Sequence, residues 1–446
     1  MLIYNFFLFM AALLAVPYYG MKMLLTGKYR RSFRAKFGFV KSGLVEKMQG
    51  NPRIWIHAVS VGEVTAAAPI IDALRCRFPE ACLVLSTGTE TGQDMAGKLT
   101  QSATATIYYP LDIPFVVRKV LDLVKPDVFV ATETELWPNF IRICRARRIG
   151  IVMVNGRLSP GSFKGYMATR FFWKSVIGAV DEVGMISEGD AARMRALGME
   201  PARVHVMGNA KYDSLAAKAS AGVRKEIAGR LNIAETEKVF VAGSTHEGEE
   251  KIVLTVYGKL LKTYPELTLI LVPRHIERAG NVIACVKEYG FGGDFISMTE
   301  INRGKRRRSE KVVVVDVIGE LFKIYSLAGV VFCGGSLVPK GGQNILEAAA
   351  WGKVVFYGPF MDDFKNERAL LEESGAGGTV GNGAELLDAI LKVMADPETA
   401  EQIGAKGKAM IAANMGASRR YVDLIETVLA RNPSLPARRM TRLRHD

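Results

Sequence analysis

From residue 54 onward, short apolar runs of three to six residues alternate with longer amphipathic stretches, and the whole alternation occurs twice. The first set of runs covers 54–59, 82–86, 128–131, 151–154, 182–186 and 204–207. The second covers 239–242, 267–272, 312–315, 330–333 and 354–356. Helical periodicity fills the gaps, as at 64–77, 114–124 and 140–148. Short buried strands separated by helices are βαβ units, so the chain is α/β with parallel sheets covered on both faces. The pattern lapses over 211–232 and then restarts. Two Rossmann-like domains are therefore predicted, at 52–210 and 235–430, with a linker at 211–234, and a ligand cleft between them at the carboxyl ends of the strands.

With 446 residues there is room for two such cores without disulfides or metals. Cys76, Cys82, Cys144, Cys285 and Cys333 form no CxxC pair, which argues against a zinc finger or redox motif and for buried thiols in a reducing compartment. The net charge of +14 calls for anionic partners. It is unevenly spread. Residues 1–21 carry no charge, while 22–41 hold seven basic residues and no acid. An apolar segment of roughly 20 residues followed by cations reads as a membrane anchor with the remaining chain on the cytoplasmic side. Pro17 and Asn5 interrupt it, so a helix lying in the interface is a second reading. A signal peptide would want cations before the run, and a buried helix is the plain alternative. The basic stretch 22–51 would then rest on anionic headgroups. The cluster 303–308 and the tail 431–446 are also basic. They read as solvated segments, because no interleaved aromatics offer bases a stacking surface, and no nucleic-acid partner is expected.

Chemistry should sit at the strand ends. The first run leads into Ser60-Val61-Gly62-Glu63. Gly62 would allow a sharp turn that aims the Glu63 carboxylate into a cleft, where exclusion of water would raise its pKa and make it a general base. A first-turn Glu complementing the helix dipole explains the same residue. The run ending at 131 leads into Thr132-Glu133-Thr134-Glu135-Leu136-Trp137-Pro138. Two carboxylates there are costly unless a cation or substrate separates them, and Pro138 suits a helix start. In the second half, Gly243-Ser244-Thr245-His246, Pro273-Arg274-His275, Asp316 to Glu320, Gly334-Gly335-Ser336 and Gly341 to Glu347 all follow strands. Glycine turns and helix N-termini of this kind admit a phosphate, Arg274 supplies a fixed cation, and Glu347 could accept from ribose hydroxyls. A P-loop is absent, since Leu99 stands where its Ser or Thr would bind Mg²⁺, and the chain lacks GxGxxG and HExxH. Asp362-Asp363 reads as a helix start, and neither metal nor cofactor is expected.

In this order, HAVSVGE at 57–63, ETELWPN at 133–139, NGRLS at 155–159, GNAKYD at 208–213, AGSTHEGEE at 242–250, VPRH at 272–275 and GGQNILE at 341–347 resemble the Kdo transferases of lipopolysaccharide assembly. The resemblance covers nearly the whole chain. It implies a GT-B glycosyltransferase fold with an N-terminal membrane-anchor helix, CMP-Kdo as donor in the second domain and a lipid A precursor as acceptor on the first. It further implies action at the cytoplasmic face of the inner membrane. On this chain Glu63 matches the general base, and Glu133 and Lys211 match positions that stabilise the transition state. Arg274 with His275, Ile318 with Gly319 and Glu320, and Asn344, Ile345, Leu346 and Glu347 match segments that contact CMP. Ser244 and Gly341 join the same donor site from the turns above. Another GT-B enzyme using a UDP-sugar and a lipid acceptor, and a non-enzymatic protein of anionic membranes, remain open beside it.

Overall fold

The computed structural model describes residues 4–10, 13, 21, 22, 25, 30–304 and 308–431. The chain forms two compact units, Met1–Ser214 with Met415–Asp446, and Leu215–Asn414. In the first, seven strands pair in parallel: β1 Arg53–His57, β2 Cys82–Thr87, β3 Ala105–Tyr108, β4 Val128–Thr132, β5 Gly150–Gly156, β6 Glu182–Met185 and β7 Val204–Val206. Their order is β3-β2-β1-β4-β5-β6-β7. β2 and β4 are buried along their whole length because helices cover both faces of the sheet. Trp55, Phe129 and Phe140 pack with the helices Pro114–Val124 and Pro138–Ala146 on one face. Ile54, Val128 and Val152 pack with the helix Val61–Arg77 on the other.

The second unit repeats the plan with β8 Val239–Thr245, β9 Thr268–Pro273, β10 Phe295–Ser297, β11 Val312–Val314, β12 Val330–Cys333, β13 Val354–Tyr357 and β14 Gly377–Thr379, in the order β10-β11-β9-β8-β12-β13-β14. All its pairings are parallel. In each sheet the strand order reverses at the first strand, between β1 and β4 and between β8 and β12. That reversal opens a crevice at the carboxyl ends, where ligands of doubly wound sheets bind. The two Rossmann-like domains of the expected GT-B class are both present.

All eleven expected strands exist, and three more, β3, β10 and β14, are edge strands. The expected linker at 211–234 holds no strand and is largely helical, as Lys211–Lys218 and Ala221–Leu231. A departure lies at the carboxyl end. The helix Ala417–Ala430, expected in the second domain, belongs to the first unit. Tyr421, Ile425 and Leu429 join the core beside the helix Val61–Arg77, and Asp213 accepts from Gly416 N (2.6 Å) and Ser418 N (2.7 Å). Its apolar stripe could cover either sheet, and only tertiary packing selects one.

Most of the stretch 1–21, expected to be the anchor, lies outside the described residues, as do 432–446 of the basic tail. Residues 4–10 are helical, and no helix among the described residues is long and apolar enough to cross a membrane. The basic cluster at 303–308 is not wholly solvated: Arg308 is buried, donating to the carbonyls of Leu231 and Asn232 and pairing with Glu237. Of the cysteines, Cys82, Cys144 and Cys333 are buried as expected, whereas Cys76 is exposed and Cys285 half-buried.

Candidate active site

Glu63 lies in the first turn of the helix that follows β1 and is 8% exposed. Its Oε2 accepts from the backbone N of Val59 at 2.8 Å and its Oε1 from the Ser60 hydroxyl at 3.0 Å. The carboxylate thus does serve the helix start, as the dipole reading expects. It is nonetheless pushed up to about 7, first by burial, with like charge from Glu135 and Glu133 adding to the shift and the Val59 and Ser60 hydrogen bonds opposing it. Gly62 does not make the turn. It is helical without a positive φ, and a Cβ there would meet only Ser60 Oγ, at 3.9 Å. The orientation of Glu63 comes from its place in the helix.

Across the crevice, Glu133 follows β4 with φ of 59°, a left-handed conformation that costs a non-glycine residue on the order of 1 kcal/mol. Its N donates to Val154 O at 2.9 Å, and Thr134 Oγ1 donates to the Arg157 carbonyl. Glu135 Oε2 accepts from Trp137 Nε1 at 3.0 Å, and burial, then the Glu133 charge, raises its pKa. Lys211 Nζ stands 3.6 Å from Glu133 Oε1. The NGRLS and GNAKYD motifs explain that placement. Asn155, at the end of β5, accepts through Oδ1 from Ala210 N at 3.0 Å, and Asn209 Oδ1 accepts from Lys211 N, also at 3.0 Å. The three candidates Glu63, Glu133 and Lys211 are thus gathered around one switch point, with a cation where two carboxylates required one. His57, at the head of the first motif, is structural: it is fully buried, stacked 3.7 Å from Tyr109, and burial lowers its pKa to about 3, so it is neutral.

In the second unit, Ser244, the penultimate residue of β8, has φ of 55°, the left-handed conformation that Glu133 adopts in the first. Arg274 and His275 follow β9 and are exposed, and the Arg274 side chain has no hydrogen-bond or ion-pair partner among the described residues. Ile318 is 84% exposed, beside Gly319 with φ of 90°. The Glu320 carboxylate is already engaged by Arg230 at 3.1 Å. Gly341 and Gly342 have φ of 81° and 80°, and Gly342 N donates to Gly335 O at 2.8 Å. Asn344, two residues before the short helix Leu346–Ala350, donates through Nδ2 to Oε1 of Glu347 in its first turn at 3.2 Å. Ile345 and Leu346 are buried, which leaves a donor only their backbone. A cavity of about 1020 Å³ lined by Glu237, Lys238, Tyr264 and Arg308 opens at the amino-terminal ends of β8 and β9, the wrong edge of the sheet for this chemistry.

Two residues emerge here that sequence reasoning did not single out. Asp112, a lone acid before Pro114, is buried and bound to the helix Pro138–Ala146. Glu249, within AGSTHEGEE, is fully buried, and its carboxylate accepts from the backbone N of His246 (2.9 Å), Gly335 (2.7 Å), Ser336 (3.0 Å) and Leu337 (2.9 Å). It ties the turn after β8 to the turn after β12. A Cβ at Gly334 would come within 2.7 Å of Ser244 O and 2.8 Å of Glu249 Oε2, so this turn needs its glycine. Glu249→Gln keeps the shape but sets an amide NH₂ against backbone N–H groups. Urea unfolding should show a loss of about 1–3 kcal/mol; an unchanged midpoint would show these bonds to be dispensable.

The family model described as 3-Deoxy-D-manno-octulosonic-acid transferase (kdotransferase) matches residues 31–214. The chain is 31% identical over 431 residues to the 3-deoxy-D-manno-octulosonic acid transferase of Haemophilus influenzae, covering 94% of this chain and 96% of that protein. It is 30% identical to the enzyme of the same name from Chlamydia pneumoniae, covering 92% of each. In fold it is similar to the UDP-GlcNAc 2-epimerase of Neisseria meningitidis, with a TM-score of 0.60 at 15% identity over 84% of this chain and all of that one. Relatives matched over nearly their full length carry the name 3-deoxy-D-manno-octulosonic acid transferase. The chain belongs to the 3-deoxy-D-manno-octulosonic acid (Kdo) transferase family of glycosyltransferases.

Proposed function

We propose that the chain transfers Kdo from CMP-Kdo to a hydroxyl of a lipid A precursor, with inversion, the acceptor bound by the first unit and the donor by the second. The observation that carries this reading is a carboxylate, Glu63, whose ionisation is moved to about 7 and which shares a switch point with the Lys211–Glu133 pair. A general base works best with a pKa near the operating pH. Ionised Glu63 takes the proton of the acceptor hydroxyl. The freed oxygen pair forms the bond to the anomeric carbon of Kdo, and the bond to the CMP phosphate oxygen breaks, so CMP leaves with that electron pair. Glu133 faces the oxocarbenium character that develops on the sugar, with the Lys211 ammonium beside it. In the second unit Arg274 meets the charge gathering on the leaving phosphate. The reading requires no metal.

Membrane attachment at the inner, cytoplasmic face belongs to the same proposal. Its support is the run of cations after residue 21 and the exposed phenylalanines of the first unit, Phe6, Phe7, Phe9, Phe39, Phe115 and Phe171. Binding to anionic vesicles that persists through a salt wash is expected, since apolar insertion is not screened. The decisive assay supplies purified chain with CMP-Kdo and a tetra-acylated lipid A precursor and detects the product by mass. Transfer should occur and be inhibited by CMP, not by UDP. Transfer from a UDP-sugar instead, or vesicle binding without any transfer, would select one of the rival readings.

A further inference from the structure

The helix at residues 4–10 meets the first unit through polar side chains, while Phe6, Phe7 and Phe9 stay exposed. Tyr4 OH donates to Asp112 Oδ2 at 2.9 Å, and Asn5 Oδ1 accepts from Asn139 Nδ2 at 2.7 Å. The Tyr4 ring stacks on Phe172 with centroids 5.8 Å apart. An anchor that served only as a tether would need none of these contacts.

The group they reach is unusual. Asp112 is 2% exposed, and its carboxylate accepts from Asn139 N at 3.0 Å and Phe140 N at 2.8 Å. Its carbonyl accepts from Asn139 Nδ2 at 2.6 Å. These are N–H groups in the first turn of the helix Pro138–Ala146, which have no partner within the helix. That helix begins one residue after the segment 133–137, which bears Glu133 and Glu135. At its other end the segment is held by Glu133 N on Val154 O (2.9 Å) and by Thr134 on Arg157. Asp112 therefore grips one end of the catalytic segment, and Tyr4 and Asn5 complete the hydrogen bonds of the grip.

We propose that Asp112 is a positioning residue for the segment 133–137 and that Tyr4 and Asn5 are part of the same device, so that the amino-terminal helix supports catalysis as well as membrane attachment. The proposal rests on the Kdo-transfer reading, in which Glu133 acts on the sugar. Its physical basis is that a buried carboxylate is costly to leave short of donors, and that small displacements of catalytic groups lower rates steeply. Among the described residues, the Tyr4 hydroxyl is one of three donors to that carboxylate.

Tether and positioning roles part company once the membrane is removed. The test uses the full chain with Tyr4→Phe and Asn5→Ala together, which keeps the ring on Phe172, and an acceptor dispersed in detergent micelles. kcat should fall roughly 10-fold with donor KM unchanged, and binding to anionic vesicles should be as tight as before. Asp112→Asn should cost more, roughly 100-fold, because its amide turns a donor toward the helix N–H groups; circular dichroism checks its folding, and the double variant decides the matter if it does not fold. Wild-type kcat for the double variant in micelles, or a loss seen only on vesicles, would overturn the proposal and leave Kdo transfer standing. A wild-type chain that transfers no Kdo in this assay would overturn both.

Discussion

Glu63→Gln should lose at least ~10²-fold in kcat while the affinity for CMP-Kdo stays nearly unchanged. The substituted amide keeps the shape of the side chain. It can still accept from Val59 N and donate to the Ser60 hydroxyl, so the helix start survives. What it cannot do is take a proton. The residues proposed to bind the donor belong to the other unit, so a binding measurement with CMP-Kdo separates lost chemistry from lost fold. The pH profile adds a second signature. With Glu63 at about 7, the wild-type rate should fall below neutrality as the base protonates, and the variant should lack that limb. Stability moves the opposite way. Burial raises the folded pKa of this carboxyl from 4.5 to about 7, so between those values the folded chain binds more protons than the unfolded one. The contribution of Glu63 to stability is complete below about 4.5 and is lost as pH rises through about 7. Glu63→Gln should therefore gain stability relative to wild type over that window and hold the gain above it. A folded variant with near wild-type turnover would end the general-base assignment and pass it to Glu135, whose pKa is also raised.

Arg274→Ala should raise the donor KM and also lower kcat. Its side chain is exposed at the end of β9 with no partner among the described residues, so it is available to a ligand and its loss should leave the fold intact. A charge-assisted hydrogen bond is worth about 1.5–3 kcal/mol, or roughly 10- to 150-fold in kcat/KM. The share that appears in kcat reports the charge gained by the leaving phosphate in the transition state. Steady-state kinetics on both substrates measures the split. Unchanged donor kinetics in the folded variant would place Arg274 outside the site. Glu320 offers the contrast: its carboxylate already pairs with Arg230, so its replacement should act through stability before it acts on the donor.

Of the eleven strands that periodicity predicted, ten lie inside the sheets, where both faces are covered, and one, β7, is an edge strand. The three it missed are edges. β3 alternates buried and half-buried residues, β10 has three residues, and β14 contains Gly377 and Gly378, which contribute no apolar signal. The helices of the expected linker left little trace for a related reason. The helices Lys211–Lys218 and Ala221–Leu231 lack a strong apolar periodicity, and local sequence says little about short helices held by their neighbours.

What the sequence determined by itself was the architecture and the strand-end positions of the candidate residues. Alternating buried runs dictate two parallel sheets, and parallel sheets put Glu63, Glu133, Ser244 and Arg274 at strand ends because connections begin there. What it left undecided needed three dimensions. The return of Ala417–Ala430 to the first unit depends on which sheet offers a complementary surface. The raised pKa of Glu63 depends on how deeply a first-turn carboxylate is buried, and Gly62, which a one-dimensional reading credits, plays no part in it. Asp112 and Glu249 are ordinary acids in the sequence. Each becomes significant only when folding encloses its carboxylate among backbone N–H groups from distant segments, since hydrogen bonds between residues far apart in the chain leave no local pattern to read.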